Sequence, residues 1–171
     1  MPLSQALNDA LNAEIGLEFA AHHQYLAIGV YFAGLSLDNL ASFFFDQAEE
    51  EKMHGLKLLH YIVEVDGTVQ IPAVPAPQSE FEAALEAADL FVRQEEMVTQ
   101  KFYEMAKLAE EDGDYITRGF LDWFITEQRE EMATSKKLFD WIRMSGDNLM
   151  LVDLRIPELE AASAEAEAEA E

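Results

Sequence analysis

The stretch AEEEKMHGLKLLHYI, residues 48–62, has the apolar spacing of a helix that buries one side. Glu51 and, three residues on, His54 fall where that side should be apolar. Residues three or four apart share a helix face, so this carboxylate and this imidazole can reach one ligand. An E-x-x-H pair alone says little, because surface helices produce it by chance. Its meaning depends on what the rest of the chain sets beside it.

Every other long periodic segment carries a matching interruption. The first has a seam of Leu11, Ile15, Tyr25, Ile28 and Phe32, broken by Glu18. The second has Leu40, Phe44, Ala48, Leu58, Ile62 and Val65, broken by Glu51. The third has Phe81, Leu85, Ala88, Val92, Val98, Phe102 and Met105, broken by Glu95. The fourth has Ile116, Phe120, Phe124, Leu138 and Ile142, broken by Glu127 and Glu131. Each break falls near the middle of its segment, so packing the segments side by side brings the acids to one height.

Such a layer is costly unless something neutralises it, since each buried carboxylate loses several kcal/mol of hydration. No Lys or Arg occupies the seams. Metal ions are the remaining counter-charge. Carboxylates with one imidazole suit iron, manganese or zinc, and a shared carboxylate can hold two ions together. Tyr25 and Trp123 read more readily as core than as redox groups, and Glu49 as a solvated face. His22, His23 and His60 read as surface or interface residues.

The elements that position these residues follow from punctuation. The first segment runs from about Leu3 to Phe32, with Ser4 as a cap and AGLS at its end. The second runs from about Leu37 or Asp38, a candidate cap, to Asp66, with Gly67 as its stop. TVQIPAVPAPQS then carries three prolines and cannot continue a helix. The third opens at Ser79, where Glu82 suggests a capping box, and ends at EEDGD. The fourth runs from about Asp114 to Met144. Each would span ~45 Å as a helix. Short loops make the first pair and the last pair antiparallel. The proline-rich link allows the second and third to run parallel. The expectation is an all-α four-helix bundle with one long crossover connection and a short fifth helix at 148–160. Residues 1–160 form the domain. Residues 161–171 form an acidic low-complexity tail, expected to be disordered because its glutamates repel at i, i+4 and leave no apolar face.

Composition narrows the class. The net charge is -23 over 171 residues, half of them hydrophobic, with no cysteine. An acidic surface repels nucleic acid and anionic lipid and attracts cations. The absence of cysteine excludes disulfides and thiolate sites and fits a reducing cytosol. No signal-peptide pattern or 18-residue apolar run is present, so neither secretion nor a membrane span is expected.

The motifs LE at 17–18 with Tyr25, EEKMH at 50–54, QEEMVTQKF at 94–102 and FLDWFITEQREE at 120–131 resemble the bacterial non-haem ferritins over about residues 5–155. That resemblance implies a cytoplasmic homo-oligomeric shell of twenty-four subunits. It implies Fe(II) oxidation by dioxygen or peroxide at a dinuclear centre in each subunit, and ferric mineral stored in the cavity. By position, Glu18, Glu51 and His54 would bind the first iron. Glu51 would bridge to the second, completed by Glu95 and Glu131, with Gln128 nearby. Glu50, Glu127 and Glu130 match a third, weaker iron site to which Glu131 also leans. EQREE replaces the second E-x-x-H of bacterioferritins, which favours a site that iron passes through over a permanent cofactor. Lys52 stands where bacterioferritins carry their haem methionine, so no haem is expected. The alternatives are a soluble di-iron oxidase or peroxidase without storage, and a non-catalytic acidic helical protein that buffers metal.

Overall fold

The computed structural model describes residues 3–170. Six helices follow one another: α1 Gln5–Gly34, α2 Asp38–Glu64, α3 Ala84–Glu111, α4 Tyr115–Ser145, α5 Leu149–Asp153 and α6 Ile156–Ala170. The first four form the bundle. Met1, Pro2 and Glu171, at the two ends of the expected domain and tail, lie outside the described residues.

Capping explains where several helices start. The Ser4 hydroxyl accepts from the Leu7 amide at 3.2 Å, as its position before α1 suggests. Asp114 caps α4, accepting from the Thr117 amide at 3.0 Å. Asp38 is no cap: it is the first helical residue of α2, its carboxylate in the favourable first turn. The capping box at Ser79 does not form either. α3 begins later, at Ala84, and the Glu86 carboxylate accepts from the Glu82 amide at 2.8 Å and the Gln78 side chain at 2.7 Å. These bonds tie the end of the crossover to the first turn of α3 instead.

That crossover follows α1 from one end to the other. Asn8 and Asn12 hold its start through Thr68 and Gln70, Gln24 holds Gln78 by two hydrogen bonds, and Tyr31 packs on Phe81 with ring centres 5.2 Å apart. The chain therefore travels the length of α1 before α3 starts, which makes α2 and α3 parallel. Ser4 bonding to Asp112 shows the start of α1 beside the end of α3.

The apolar interior is divided. One cluster gathers Tyr25, Ile28, Phe32, Phe44, Phe91, Leu138 and Ile142, with Ile156 and Leu159 of α6. The other gathers Leu7, Leu11, Ile15, Leu58, Val98, Phe102 and Phe124. The mid-helix acids lie between them. Gly55 lets α1 and α2 approach there, since a Cβ at this position would lie 2.7 Å from the Phe19 ring. Two residues assigned to the seams are exposed: Ile116 is 70% exposed and Leu85 39%. Leu121 and Phe91 are buried instead. Both errors sit near helix starts, where one residue of slip in phase rotates the buried face by 100°.

The C-terminal segment is helical over Ile156–Ala170. α5 is one short turn, and α6 then continues through the acidic tail to Ala170. The tail is short only when taken by itself. It extends a helix already nucleated at Ile156–Glu160, so it adds residues without a new nucleation step. Ile156 and Leu159 are fully buried, and Ser163 meets Thr134 of α4 at 3.0 Å.

Candidate metal centre

At mid-height, α1 supplies Glu18 and α2 supplies Glu51 and His54. One ligand atom from each lies within 4.8 Å of the others, and all three residues are buried. His54 Nδ1 is 3.5 Å from Glu51 Oε2 and 3.9 Å from Glu18 Oε2. These are ion-pair distances, too long for good hydrogen bonds. Both Glu18 oxygens, Glu51 Oε1 and His54 Nδ1 are buried without a hydrogen-bond partner. Unmet polar atoms at this density are expensive. A cation among them would satisfy all of them, and mixed oxygen and nitrogen donors fit iron, manganese or zinc.

Across the layer, Glu95 of α3 is fully enclosed. Tyr25 donates its hydroxyl to Glu95 Oε1, and Gln128 Nε2 donates to Glu95 Oε2 at 2.9 Å. Gln128 also reaches Thr99 at 3.2 Å. These two neighbours fix the carboxylate's direction. Glu131 of α4 is buried and feels the charges of Glu95, Glu51, Glu50 and Glu130. Glu50 and Glu130 are half-buried and line an opening beside Glu131. Glu127 is half-buried one turn before Glu131 and does not line that opening.

Charge is distributed unevenly over this group. Burial, then the neighbouring Glu51, pushes Glu18 well above the usual carboxylate range. Burial, then Glu51, raises Glu95 to about 8, against the pull of Tyr25 and Gln128. Burial, then Glu95, raises Glu131. Burial pushes Glu51 up, but its contact and charge interaction with His54 outweigh this and leave it lowered. His54 is raised, because Glu51 outweighs the downward push of burial. Without metal, these shifts favour a charged Glu51 beside His54 and neutral forms of the acids around it.

Glu14 belongs to the same layer and was missed in the sequence. It is buried, its Oε1 has no partner, and burial, then Glu51, raises it to about 8. The signal existed: Leu7, Leu11, Glu14, Glu18, Ala21 and Tyr25 step by four and three along one face of α1. Gln47 on α2 was missed in the same way, between Phe44 and Glu51.

A model of the ferritin-like domain matches residues 8–145. The chain belongs to the ferritin family. It is 37% identical over 161 residues to a bacterial non-haem ferritin of Staphylococcus haemolyticus, covering 94% of this chain and 97% of that one. It is 37% identical over 146 residues to one from Staphylococcus aureus strain MRSA252. An open-pore ferritin from the hyperthermophilic archaeon Archaeoglobus fulgidus superimposes with a TM-score of 0.86 at 29% identity, covering 92% of this chain and 96% of that one. Family membership and the all-α bundle thus agree with the motif reading. No helix among the described residues of this ferritin-family chain is long and apolar enough to cross a membrane.

Proposed function

We propose that this chain stores and detoxifies iron. It oxidises Fe(II) to Fe(III) with dioxygen or peroxide at a dinuclear centre inside the bundle, and ferric oxyhydroxide collects in the cavity of a shell of such subunits. The observation that carries this reading is the buried, unpartnered donor set of Glu18, Glu51 and His54 between two apolar clusters. The relatives named as bacterial non-haem ferritins support the same reading. A shell of twenty-four subunits and a cytoplasmic location belong to it by family resemblance.

In this reading Glu18, Glu51 and His54 take the first Fe(II) and Glu51 reaches towards the second, with Glu95 and Glu131 completing that position. Glu50, Glu127 and Glu130 hold a third ion more loosely. Tyr25 and Gln128 act on Glu95, which they orient. Two Fe(II) supply one electron each to dioxygen, which takes up two protons and leaves as hydrogen peroxide. The carboxyl protons displaced as iron binds are released locally. With one imidazole in the set, ferric product is weakly retained and hydrolyses onward to mineral.

The test is anaerobic loading of the apo-protein with Fe(II), then mixing with dioxygen. Rapid oxygen consumption at about two Fe(II) per chain, with electron-dense cores in a large hollow particle, is expected from the shared-carboxylate geometry. Fe(II) binding without oxygen uptake would make the protein a buffer. Oxygen uptake by a small particle without cores would make it a soluble oxidase.

A further inference from the structure

α6 does more than cover the bundle. It lies against α4 and α2, and beneath it a cavity of about 320 Å³ opens. Asp46, Gln47 and Glu50 of α2, Glu130 and Glu131 of α4 and Glu160 of α6 line it. Five of these six are acids, and no Lys or Arg among the described residues contributes to the wall.

An acidic cluster alone would be unremarkable on so acidic a chain. Gln47 sets this one apart. Its side chain is more than nine-tenths buried, its Nε2 donates to Glu50 Oε2 at 2.5 Å, and its Oε1 has no hydrogen-bond partner. A buried amide oxygen left unmet beside carboxylates is a donor waiting for a cation. Asp46 and Glu160, both exposed, line the same cavity, and burial, then Asp46, raises the Glu160 carboxyl. The wall also includes Glu131, so the cavity abuts the acids of the metal centre.

We propose that α6 completes a cation vestibule in which Asp46, Glu50 and Glu160, with the Gln47 amide oxygen, hold a partly hydrated Fe(II) next to Glu131. This rests on the proposed function for the identity of the ion. All donors are hard oxygens, which suit Fe(II), Mn(II) or Mg(II) and disfavour soft ions. At ~30 Å³ per water, the volume admits an ion with most of its hydration shell. Such an ion exchanges readily, as a transit position requires. The vestibule differs from the third site because two of its acids, Asp46 and Glu160, lie outside that set.

Mn(II) is the probe, counted by electron paramagnetic resonance and calorimetry on the assembled full-length protein. Glu51→Ala, which disables the dinuclear bridge, should keep the vestibule Mn(II). In that background Asp46→Asn with Glu160→Gln should remove it or weaken it at least tenfold. Gln47→Leu, which leaves every charge in place, should weaken it severalfold and serves if the double variant fails to assemble. The proposal is overturned if Glu51→Ala binds no Mn(II), or if neither the double variant nor Gln47→Leu changes the Mn(II) count or affinity. Persistent fast Fe(II) oxidation in Glu51→Ala would instead overturn the dinuclear assignment and leave the Mn(II) result standing.

Discussion

Glu51 and His54 face each other one turn apart on α2, Oε2 to Nδ1 at 3.5 Å, with the remaining Glu51 oxygen unpartnered. An ion pair this deep pays desolvation twice, and its geometry recovers only part of that. The same two atoms are well set to grip a cation between them. The pair is therefore poor as structure and good as a binding site.

Replacing Glu51 separates those two roles. Glu51→Ala should slow the first phase of Fe(II) oxidation by more than the 10–100-fold that even an outer-shell partner contributes to a metal site. The apo-protein should melt no lower than the parent, and higher if the desolvation cost dominates. Stopped-flow absorbance and a thermal melt of the metal-free protein check both halves.

Glu14 gives the stability prediction with the clearest sign. Its carboxyl is raised from 4.5 to about 8 by burial, then by Glu51. Below pH 4.5 both folded and unfolded chains hold the proton, so Glu14 contributes no slope. Between about 4.5 and 8 the unfolded chain has released it and the folded chain has not, so stability falls as pH rises. Glu14→Gln removes this term and should flatten that fall in the apo-protein, gaining a few kcal/mol near pH 8. Urea titrations at pH 5 and pH 8 measure it. Equal slopes in parent and variant would place the Glu14 side chain in solvent.

Metal binding should release protons. Glu18, Glu95 and Glu131 are raised by burial and by neighbouring acids, and His54 is raised by Glu51. Ligands must be deprotonated to bind, so affinity rises with pH until these groups are ionised. Zn(II) titrations in buffers of different ionisation enthalpy should show heats that depend on the buffer. Tyr25→Phe removes a hydrogen bond that lowers Glu95, so it should increase the number of protons released near neutral pH.

The bundle and most of the buried acidic layer were legible because both are written in one signal, the three-and-four spacing of apolar residues. Glu18, Glu51, Glu95 and Glu131 show as interruptions of that spacing, and the structure places them in the layer between the two apolar clusters. Glu14 and Gln47 escaped because the seam on α1 was phased through Ile15, and that on α2 through Ala48, rather than through their neighbours. Both phases are buried, since a helix inside a bundle buries a stripe wider than one seam. The proposed vestibule was illegible for another reason: Asp46 and Glu160 come to line one cavity only after the chain has turned at α5, and no local pattern records that.

Glu130→Ala tests whether the proposed third site is distinct from the proposed dinuclear centre. Glu130 lines the opening beside Glu131 and is half-buried, whereas Glu18, Glu51 and Glu95 are enclosed. The variant should keep the first oxidation phase within about twofold and change the iron-to-oxygen ratio of later additions. A loss of the first phase as large as that in Glu51→Ala would make Glu130 a primary ligand.

Truncation tests whether α6 is a continuation or a tail. The helix is held by Ile156 and Leu159 in the core and by Ser163 against Thr134. In the sequence, Glu165 and Glu169 stand at i, i+4, as do Glu167 and Glu171, a spacing at which like charges on a helix cost about 0.2–0.5 kcal/mol per pair. Removing residues 166–171 should therefore leave stability unchanged within that margin, and the particle should assemble as before. Ending the chain at Ala162 also removes Ser163, whose loss leaves the Thr134 hydroxyl unpaired at about 1 kcal/mol. Hydrogen exchange should then rise in 156–162, because the shortened helix has lost its last tertiary anchor while keeping its buried start. Full protection of 156–162 in that shorter chain would show that Ile156 and Leu159 hold α6 alone. Loss of protection already on removing 166–171 would show that the acidic turns, despite their repulsion, are part of what holds it.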